Sequence, residues 1–293
     1  MIFEMILNNH VIPFQLSNNT IRGNIVRLQT VVSEIVKRHE YPANIESLFA
    51  DTLSITACLG SRMKHEGVFT IQAKGSGDVS TLFSDITSDG FLRGYINLIS
   101  DFSNTESNLK SLMGSGHVSF TLDQGKHTKR YQGIVSLEEP SISKITELYF
   151  NNSEQLETKF LTFNYFDIEK NNRKNLFSAG LIMLQKMPVK NSFDEESNEE
   201  IWQNSLNFLS TLGKEEFLST NLTSEEILYR LFNELEVTVY DKIIIKDQCR
   251  CSDEKIKFAI ESLSKKELRE ITDENGNVKV VCEFCKKERI FAS

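Results

Sequence analysis

Four of the five cysteines in this 293-residue chain lie in two close pairs near its C-terminal end, and this pattern constrains the fold more than any other feature. The first pair is Cys249-x-Cys251, and the second, thirty residues further on, is Cys282-x-x-Cys285. Thiolates that approach in pairs from two turns can complete a tetrahedron around Zn²⁺, with Zn–S distances of about 2.3 Å. The sequence therefore predicts one zinc ion per chain, with these four cysteines as its ligands.

The residues between the two pairs predict a small module built around that metal. Ser252 is the expected N-cap of a first helix, and Ser264-x-x-Glu267 is a capping box that opens a second. A turn sequence, Asp273-Glu274-Asn275-Gly276, leads into the strand that delivers Cys282. About fifty residues of this polarity cannot build a sufficient core unaided, so the metal must contribute much of the folding free energy, on the order of 10–16 kcal/mol.

The same spacing allows redox chemistry. Residues i and i+2 of an extended chain point to one side, so Cys249 and Cys251 can share a metal, and they can also oxidise together if the backbone bends. Disulfides closed within the pairs would span loops of three or four residues and contribute roughly 2 kcal/mol each. This is far less than zinc contributes, so we expect oxidation to melt the module. Four flanking cations either favour the thiolate form or are simply solvated surface charges: Lys246, Arg250, Lys286 and Lys287.

Charge divides the chain into three parts. The net charge of −8 falls on residues 189–240, which carry 3 basic and 11 acidic groups, whereas residues 1–188 and 241–293 have net charges of −1 and +1. A composition shift of this kind after Met187-Pro188 predicts a boundary. We therefore predict a core domain over 1–188, an acidic helical linker over 189–240 and a zinc-binding module over 241–293.

The predicted core domain mixes helical and strand patterns. Helical spacing covers residues 26–37 and 45–63. Strand alternation covers residues 68–72, 117–122 and 133–136. The sequence therefore predicts an α+β fold with antiparallel strands. Cys58 lies in the second helical segment, where a lone cysteine is expected to be a small core residue with no functional role.

The predicted linker combines apolar stripes with crowded acidic charge. One stripe contains Ile201, Ser205, Phe208 and Leu212. A helix opened by the capping box Thr223-x-x-Glu226 carries a second stripe, Ile227, Leu228, Leu231, Phe232 and Leu235. The acidic run is Asp194, Glu195, Glu196, Glu199 and Glu200. Such helices hold mainly by docking on another surface, so we expect the linker to fold only while the zinc module is intact and to expose apolar surface when the module melts.

Several short motifs accompany the cysteine pairs along the chain. They are Phe14-Gln15, Arg22-Gly23, Arg38-His39-Glu40-Tyr41-Pro42, Gln72-x-x-Gly75-x-Gly77, Arg93-Gly94-Tyr95, Tyr131-Gln132-Gly133-Ile134-Val135, Ser153-Glu154-Gln155, Ala179-Gly180 and 185–188. Together with the cysteine pattern, which is the most specific of these features, they make the whole chain resemble the 33-kDa heat-shock protein family of redox-regulated molecular chaperones, the redox chaperonins.

This resemblance implies an ATP-independent holdase that is inactive while it is reduced and zinc-bound. Oxidants would form the two local disulfides Cys249–Cys251 and Cys282–Cys285, release zinc and unfold the linker, so that unfolded or partly folded client proteins are bound. Exposed apolar surface also favours self-association, and we expect a homodimer on oxidation. The chain departs from the family pattern at Asn152 and over 288–291, where Glu-Arg-Ile-Phe replaces a more aromatic ending. Neither departure is expected to touch a zinc ligand.

Two other classes of protein also use zinc-thiolate sites. A zinc-thiolate oxidoreductase or hydrolase needs an open metal position, but four thiolates close the tetrahedron. A zinc-ribbon adaptor for nucleic acid needs a basic face, whereas four thiolates and one Zn²⁺ take the +1 charge of residues 241–293 to −1. We therefore predict a chaperone that is not an enzyme, with client proteins as partners and with no nucleic acid or membrane partner.

The sequence also predicts a cytoplasmic location. No apolar run approaches the roughly 20 residues needed to cross a bilayer. Residues 1–9 carry Glu4 and no Lys or Arg ahead of an apolar stretch, so a secretory signal is not expected. In a reducing compartment, the five cysteines favour metal ligation or redox chemistry over a structural disulfide framework.

Overall fold

The computed structural model describes residues 9–99, 102–103, 105–125, 128–167, 176–188 and 195–292. The chain divides into two compact units, Met1–Asp247 and Gln248–Ser293. The described part of the predicted linker therefore lies in the same unit as the predicted core, and the domain boundary after residue 188 stays a prediction. Residues 1–8, on which the secretory-signal prediction depends, and Asp194 of the acidic run lie outside the described residues.

The described residues of the first unit form two six-stranded sheets. The strands of the first sheet are β1 Asn9–Leu16, β2 Ile21–Leu28, β8 Thr158–Asp167, β9 Leu176–Lys186, β10 Thr238–Val239 and β11 Ile243–Ile244. Their order is β10-β1-β2-β9-β8, with β11 also paired to β1, and every pairing is antiparallel. The first sheet therefore has two long central strands, β2 and β9, and carries two-residue additions along the edge of β1.

The second sheet is antiparallel except at one edge. Its strands are β3 Val68–Gly75, β4 Val79–Thr87, β5 Phe91–Leu98, β6 Gly116–Asp123, β7 Tyr131–Ser136 and β12 Lys246–Asp247. Their order is β12-β5-β4-β3-β6-β7, and β12 runs parallel to β5. The strands predicted at 68–72, 117–122 and 133–136 are confirmed, and so is the α+β class with antiparallel sheets.

In the described residues of the first unit, four helices precede the predicted linker. They are α1 Thr30–Lys37, α2 Ala43–Gly60, α3 Leu109–Met113 and α4 Ile142–Tyr149, which a π-helical turn, Phe150–Glu154, extends. Helix α2 packs against strands of both sheets and is buried on nearly all sides, and Cys58 within it is fully buried, as predicted. The helix predicted from residue 26 is wrong at its start, because residues 26–28 end β2. Apolar residues buried on both faces of a strand have no period that separates them from a helix.

Three helices cover the other face of the first sheet. They are α5 Glu195–Ser210, α6 Lys214–Leu218 and α7 Ser224–Phe232, followed by a 3-10 turn, Asn233–Leu235. Their buried residues share one core with alternate residues of the strands, including Ile12, Phe14, Leu16, Ile21, Ile25, Phe163, Ile182 and Leu184. The intervening residues, such as Val11 and Leu181, belong to the core between the two sheets. No helix in the described ranges is long and apolar enough to cross a membrane.

The second unit is small and almost without a core. It contains α8 Asp253–Glu261, α9 Lys265–Ile271 and a hairpin of β13 Asn277–Val281 and β14 Glu288–Ala292. Ser252 caps α8, and Ser264 and Glu267 form the capping box of α9, both as predicted. Among residues 248–292, Val278 is the only one that is buried. A unit of this kind needs something other than apolar packing to hold it together.

Candidate metal centre

The first cysteine pair lies in a segment without helix or strand between β12 and α8. Ser252 has extended backbone angles, and its side chain accepts a hydrogen bond from the Lys255 N–H, so the chain turns into α8 directly after Cys251. The Lys255 Nζ also donates to the Arg250 carbonyl at 3.0 Å. These local bonds tie the segment that carries Cys249 and Cys251 to the first turn of α8.

The second cysteine pair lies in the turn of the β13–β14 hairpin. Cys282 and Lys287 close the turn, because the Cys282 N–H donates to the Lys287 carbonyl at 3.1 Å and the Lys286 N–H donates to the Cys282 carbonyl at 2.8 Å. Lys286 adopts a left-handed conformation with φ of 52°, which tightens the turn around Cys285. The hairpin therefore presents two thiols from one short loop.

The four thiols meet at one point. Their sulfur atoms all lie within 4.8 Å of one another, with Cys249 Sγ 3.7 Å from Cys282 Sγ and Cys251 Sγ 3.6 Å from Cys285 Sγ. A regular tetrahedron with Zn–S distances of about 2.3 Å has S–S edges of about 3.8 Å. The sulfur positions therefore fit a zinc ion bound by four thiolates. Among the described residues, no other group of three or more His, Cys, Asp or Glu side chains is close enough to share a metal.

The four thiols differ in acidity. Burial raises the pKa of Cys249 to about 12 and also raises the pKa of Cys285. Burial acts in the same direction on Cys251, but hydrogen bonds from Cys249 and Arg289 outweigh it and lower the pKa of Cys251 to about 7. In the metal-free protein, Cys251 is therefore the thiol of these three that ionises most readily near neutral pH.

Arg289 on β14 also contacts this cluster, and no sequence motif predicts this contact. Its Nη2 lies 3.3 Å from Cys251 Sγ, and its Nε donates to Asp253 Oδ1 at 2.6 Å. The expectation that the departure at residues 288–291 touches no zinc ligand is therefore wrong for Arg289, if Cys251 is a ligand. Arg289 pairs with Val280 across the hairpin. This register depends on where the hairpin turns, so the contact with Cys251 could not be predicted from the sequence.

A second feature of the first unit is the face of the first sheet that α5, α6 and α7 cover, here called the docking face. Phe232 of α7 stacks on Phe14 with ring centroids 5.9 Å apart, and Phe217 of α6 stacks on Phe163 at 4.5 Å. Glycines make room for these rings, since a Cβ added at Gly23 would lie 2.2 Å from the Phe14 ring. The docking face is therefore an apolar surface built to receive aromatic side chains.

Most of the apolar stripes predicted for the linker lie against this docking face. Leu212 and the whole second stripe are buried there, whereas Ile201 and Phe208 are only partly buried. Trp202 and Leu209, which the predicted stripe omitted, are buried beside Ser205 and Leu212, so the buried face of α5 only partly coincides with the predicted stripe. The surface on which the stripes dock is thus the first sheet of the first unit.

Two polar side chains of the first sheet anchor the docked segment. The Arg27 guanidinium donates to the carbonyls of Leu222 at 2.6 Å and Ser219 at 2.5 Å. His10 Nε2 lies 2.8 Å from Ser224 Oγ, and burial, with the nearby Arg27 charge, lowers the pKa of His10 to about 4. Both side chains are buried, so they hold the α6–α7 connection to the sheet by bonds that water cannot replace while the segment is docked.

The acidic run is less repulsive than its charge suggests. Lys186 forms ion pairs with Glu199 and with Glu157, and hydrogen bonds from Lys186 and Gln203 lower the pKa of Glu199. Glu195 and Glu196 lie in the first turn of α5, where negative charge favours a helix. The negative charges at the start of α5 therefore do not oppose the helix.

Comparisons with known proteins agree along nearly the whole chain. A family model described as "Hsp33 protein" matches residues 9–292. A 33 kDa chaperonin of Caulobacter vibrioides is 31% identical over 289 residues, which cover 96% of this chain and 94% of the relative. A 33 kDa chaperonin of Pseudomonas aeruginosa is 30% identical, with coverage of 95% and 90%. The crystal structure of a 33 kDa chaperonin from Thermotoga maritima has the same fold, with a TM-score of 0.80, 23% identity and coverage of 97% and 95%.

Proposed function

Because this chain belongs to the Hsp33 protein family, we propose that it is an ATP-independent holdase chaperone, kept inactive by zinc and activated by oxidation. The observation that carries the proposal is the cluster of four thiols in a unit where, among residues 248–292, only Val278 is buried. Because apolar packing contributes so little, the fold of this unit depends on the four thiols. Thiols are also the groups with which oxidants react. Oxidation would therefore remove the element that holds the second unit together.

The proposed resident metal is one Zn²⁺, with Cys249, Cys251, Cys282 and Cys285 as ligands. The near-tetrahedral sulfur spacing and the all-thiolate donor set support this choice. When bound, zinc links the first cysteine pair to the second and supplies folding free energy. Four protein ligands leave no position for a substrate, which favours a structural role over catalysis.

In the proposed switch, each cysteine pair consumes one peroxide molecule. One thiolate attacks a peroxide oxygen, the O–O bond breaks, hydroxide leaves and the sulfur becomes a sulfenic acid. The second thiolate of the pair attacks that sulfur, forms the S–S bond and expels a second hydroxide. Two thiolates are thereby oxidised, one peroxide is reduced, and both sulfurs cease to be metal ligands. We place this chemistry in the cytoplasm, where reducing conditions keep the thiols available beforehand.

We propose that the disulfides form within the pairs, as Cys249–Cys251 and Cys282–Cys285. In a regular tetrahedron the six S–S distances are equal, so the S–S distances of the reduced site do not select a pairing. The proposal depends instead on the number of residues between the two cysteines that are joined. Local disulfides contribute roughly 2 kcal/mol each, whereas a bond from Cys249 to Cys282 would contribute about 4 kcal/mol and would tie the two ends of the unit together. Only the local pairing lets the second unit unfold.

The signal would pass along the chain to the docked helices. The strands β10, β11 and β12 lie between α7 and Cys249 in the sequence, and each has only two residues. Unfolding after Asp247 would let these short pairings open and α5–α7 leave the docking face. The exposed face, with Phe14 and Phe163, would then bind the apolar segments of unfolded clients and would also allow two oxidised chains to form a homodimer.

The experiment is a side-by-side assay of the zinc-loaded reduced protein and the zinc-free oxidised protein. Light scattering of a thermally unfolding client measures holdase activity, and zinc is counted per chain in both samples. We expect one zinc and no suppression of aggregation in the reduced sample, and no zinc and strong suppression in the oxidised sample. Equal suppression by both would contradict the switch, and turnover of a small substrate or salt-sensitive RNA binding would support the alternative classes.

A further inference from the structure

Arg289 brings a cation from the second strand of the hairpin to one thiol of the cluster. Its guanidinium contacts Cys251 Sγ through Nη2 at 3.3 Å, and Asp253 holds it through Nε at 2.6 Å. The side chain is 15% exposed, so the contact is shielded from solvent. The guanidinium is thus fixed at both ends, by a carboxylate and by a sulfur.

This contact differs from the other positive charges near the cysteines. Lys286 pairs with Glu283 at 3.0 Å, and Lys287 is exposed. Solvated charges of that kind are strongly screened. Four thiolates and one Zn²⁺ together carry a charge of −2, and the Arg289 guanidinium is held against this centre at hydrogen-bond distance. Arg289 is therefore placed to withdraw negative charge from the Cys251 sulfur.

We propose that Arg289 is a positioning residue that protects Cys251 and sets the oxidant dose needed for activation. The inference rests on the proposed function, since it concerns the regulation of the same site. A hydrogen bond to the sulfur stabilises the thiolate more than the transition state, in which its charge moves through the new S–O bond to the departing hydroxide. Zinc keeps Cys251 ionised with or without Arg289, so in the zinc-bound protein removing Arg289 would speed the attack of Cys251 on peroxide.

The geometry favours this role over the opposite one. An arginine could instead accelerate the reaction by donating to the peroxide oxygen that leaves. That role needs a donor facing the solvent from which peroxide arrives. Arg289 Nη1 is buried and has no hydrogen-bond partner among the described residues, and Nη2 and Nε already contact Cys251 and Asp253. Nη2 therefore acts on the sulfur, and a role of Arg289 toward the oxidant would appear as slower peroxide-driven release in Arg289→Met.

The test compares Arg289→Met and Arg289→Lys with wild type. Arg269→Met is the matched control, because it removes the same charge from the exposed surface of α9 in the same unit. Zinc release is followed with a colorimetric chelator at a fixed excess of hydrogen peroxide, and separately with the chelator alone. We expect peroxide-driven release to be roughly tenfold faster in Arg289→Met, a few-fold faster in Arg289→Lys and unchanged in Arg269→Met.

The second readout separates protection from simple loosening of the unit. Chelator-driven release should change much less than peroxide-driven release in both Arg289 variants. The inference is overturned if chelator-driven and peroxide-driven release are accelerated equally. It is also overturned if neither Arg289 variant releases zinc faster than wild type in peroxide. If Arg289→Met fails to bind zinc, the Arg289→Lys rates decide. Wild-type protein without zinc, or without activation by peroxide, contradicts the proposed function itself, whereas normal wild-type switching with unaltered variants contradicts only the role of Arg289.

Discussion

The two units of the molecule are stabilised in different ways. The first unit buries apolar residues on both faces of its first sheet and around α2, including Phe49, Phe217 and Phe232. In the second unit, Val278 is the only buried residue among 248–292, and Phe258 and Ile290 are 74% and 63% exposed. Apolar packing responds little to oxidants, whereas thiols respond strongly. Sensitivity to oxidants therefore lies in the second unit. The apolar surface that we propose binds clients lies in the first unit.

The largest expected effect comes from removing metal ligands in the second unit. The Cys251→Ser, Cys282→Ser double variant should lose zinc and with it folding free energy on the order of 10 kcal/mol. Metal analysis measures the zinc, and amide hydrogen exchange should show protection lost over 248–292 but kept in α2. Cys58→Ala, which removes a cysteine from the first unit, is the control and should keep one zinc per chain. A double variant that retains its zinc would refute the ligand assignment.

An effect of intermediate size is expected from an aromatic residue of α7 that packs against the docking face. Phe232→Ala should destabilise the docked helices by about 3–5 kcal/mol, because it removes a fully buried ring that stacks on Phe14. The variant should suppress aggregation partly without oxidant. Phe258→Ala in the second unit removes an exposed ring of the same kind and should change stability by about 0.5 kcal/mol or less. Chemical denaturation measures stability, and equal effects of the two substitutions would contradict the contrast between the units.

A smaller effect is expected for the polar anchor of the docked segment. Arg27→Met leaves the Ser219 and Leu222 carbonyls without their donor and should cost about 2–3 kcal/mol. The oxidant dose for half-maximal activation should fall accordingly in a titration with peroxide. Arg22→Met, an exposed arginine five residues earlier on the same strand, is the matched control. The same dose in both variants would show that Arg27 does not anchor the segment.

The smallest expected effect is a pH dependence through His10. Burial, together with Arg27 and Lys242, lowers its pKa from 6.5 to about 4, and Glu225 opposes them. Because the pKa of His10 is lower in the folded state, the unfolded state binds the proton more readily. The free energy of unfolding therefore has its full value above pH 6.5 and falls as the pH drops toward 4. At pH 5 the loss is about 2 kcal/mol.

The control for this pH dependence is His10→Gln, measured by thermal unfolding beside wild type. Asp51 acts in the opposite direction, since burial raises its pKa to about 6 and the folded state therefore takes up that proton first. The difference between wild type and His10→Gln isolates the histidine. A difference that does not change between pH 7 and pH 5 would exclude His10 from the pH dependence.

The sequence predicted those parts of the fold that depend on local patterns. The capping boxes at Thr223 and Ser264, and the strands at 117–122 and 133–136, depend on residues a few positions apart, and all are confirmed. The meeting of the four cysteines could also be predicted, because close pairs of thiols on turns have few other uses.

Features that depend on long-range placement could not be predicted. The helical pattern at residue 26 is a strand because β2 pairs with β1 and β9 on its two sides. The anchors His10 and Arg27 meet residues about two hundred positions away in the sequence. Arg289 reaches Cys251 only because the hairpin register and the cap of α8 place both at one point. A single sequence holds no local signal for contacts of this kind.

Hydrogen exchange across α5–α7 tests the proposed coupling of the two units most directly. It is measured on the zinc-loaded reduced protein and on the oxidised zinc-free protein, with holdase activity determined on the same samples. We predict that oxidation removes protection over residues 195–235 and 248–292 and leaves it intact in α2, β3 and β4. Unchanged protection over 195–235 in an oxidised sample that is fully active would contradict the coupling.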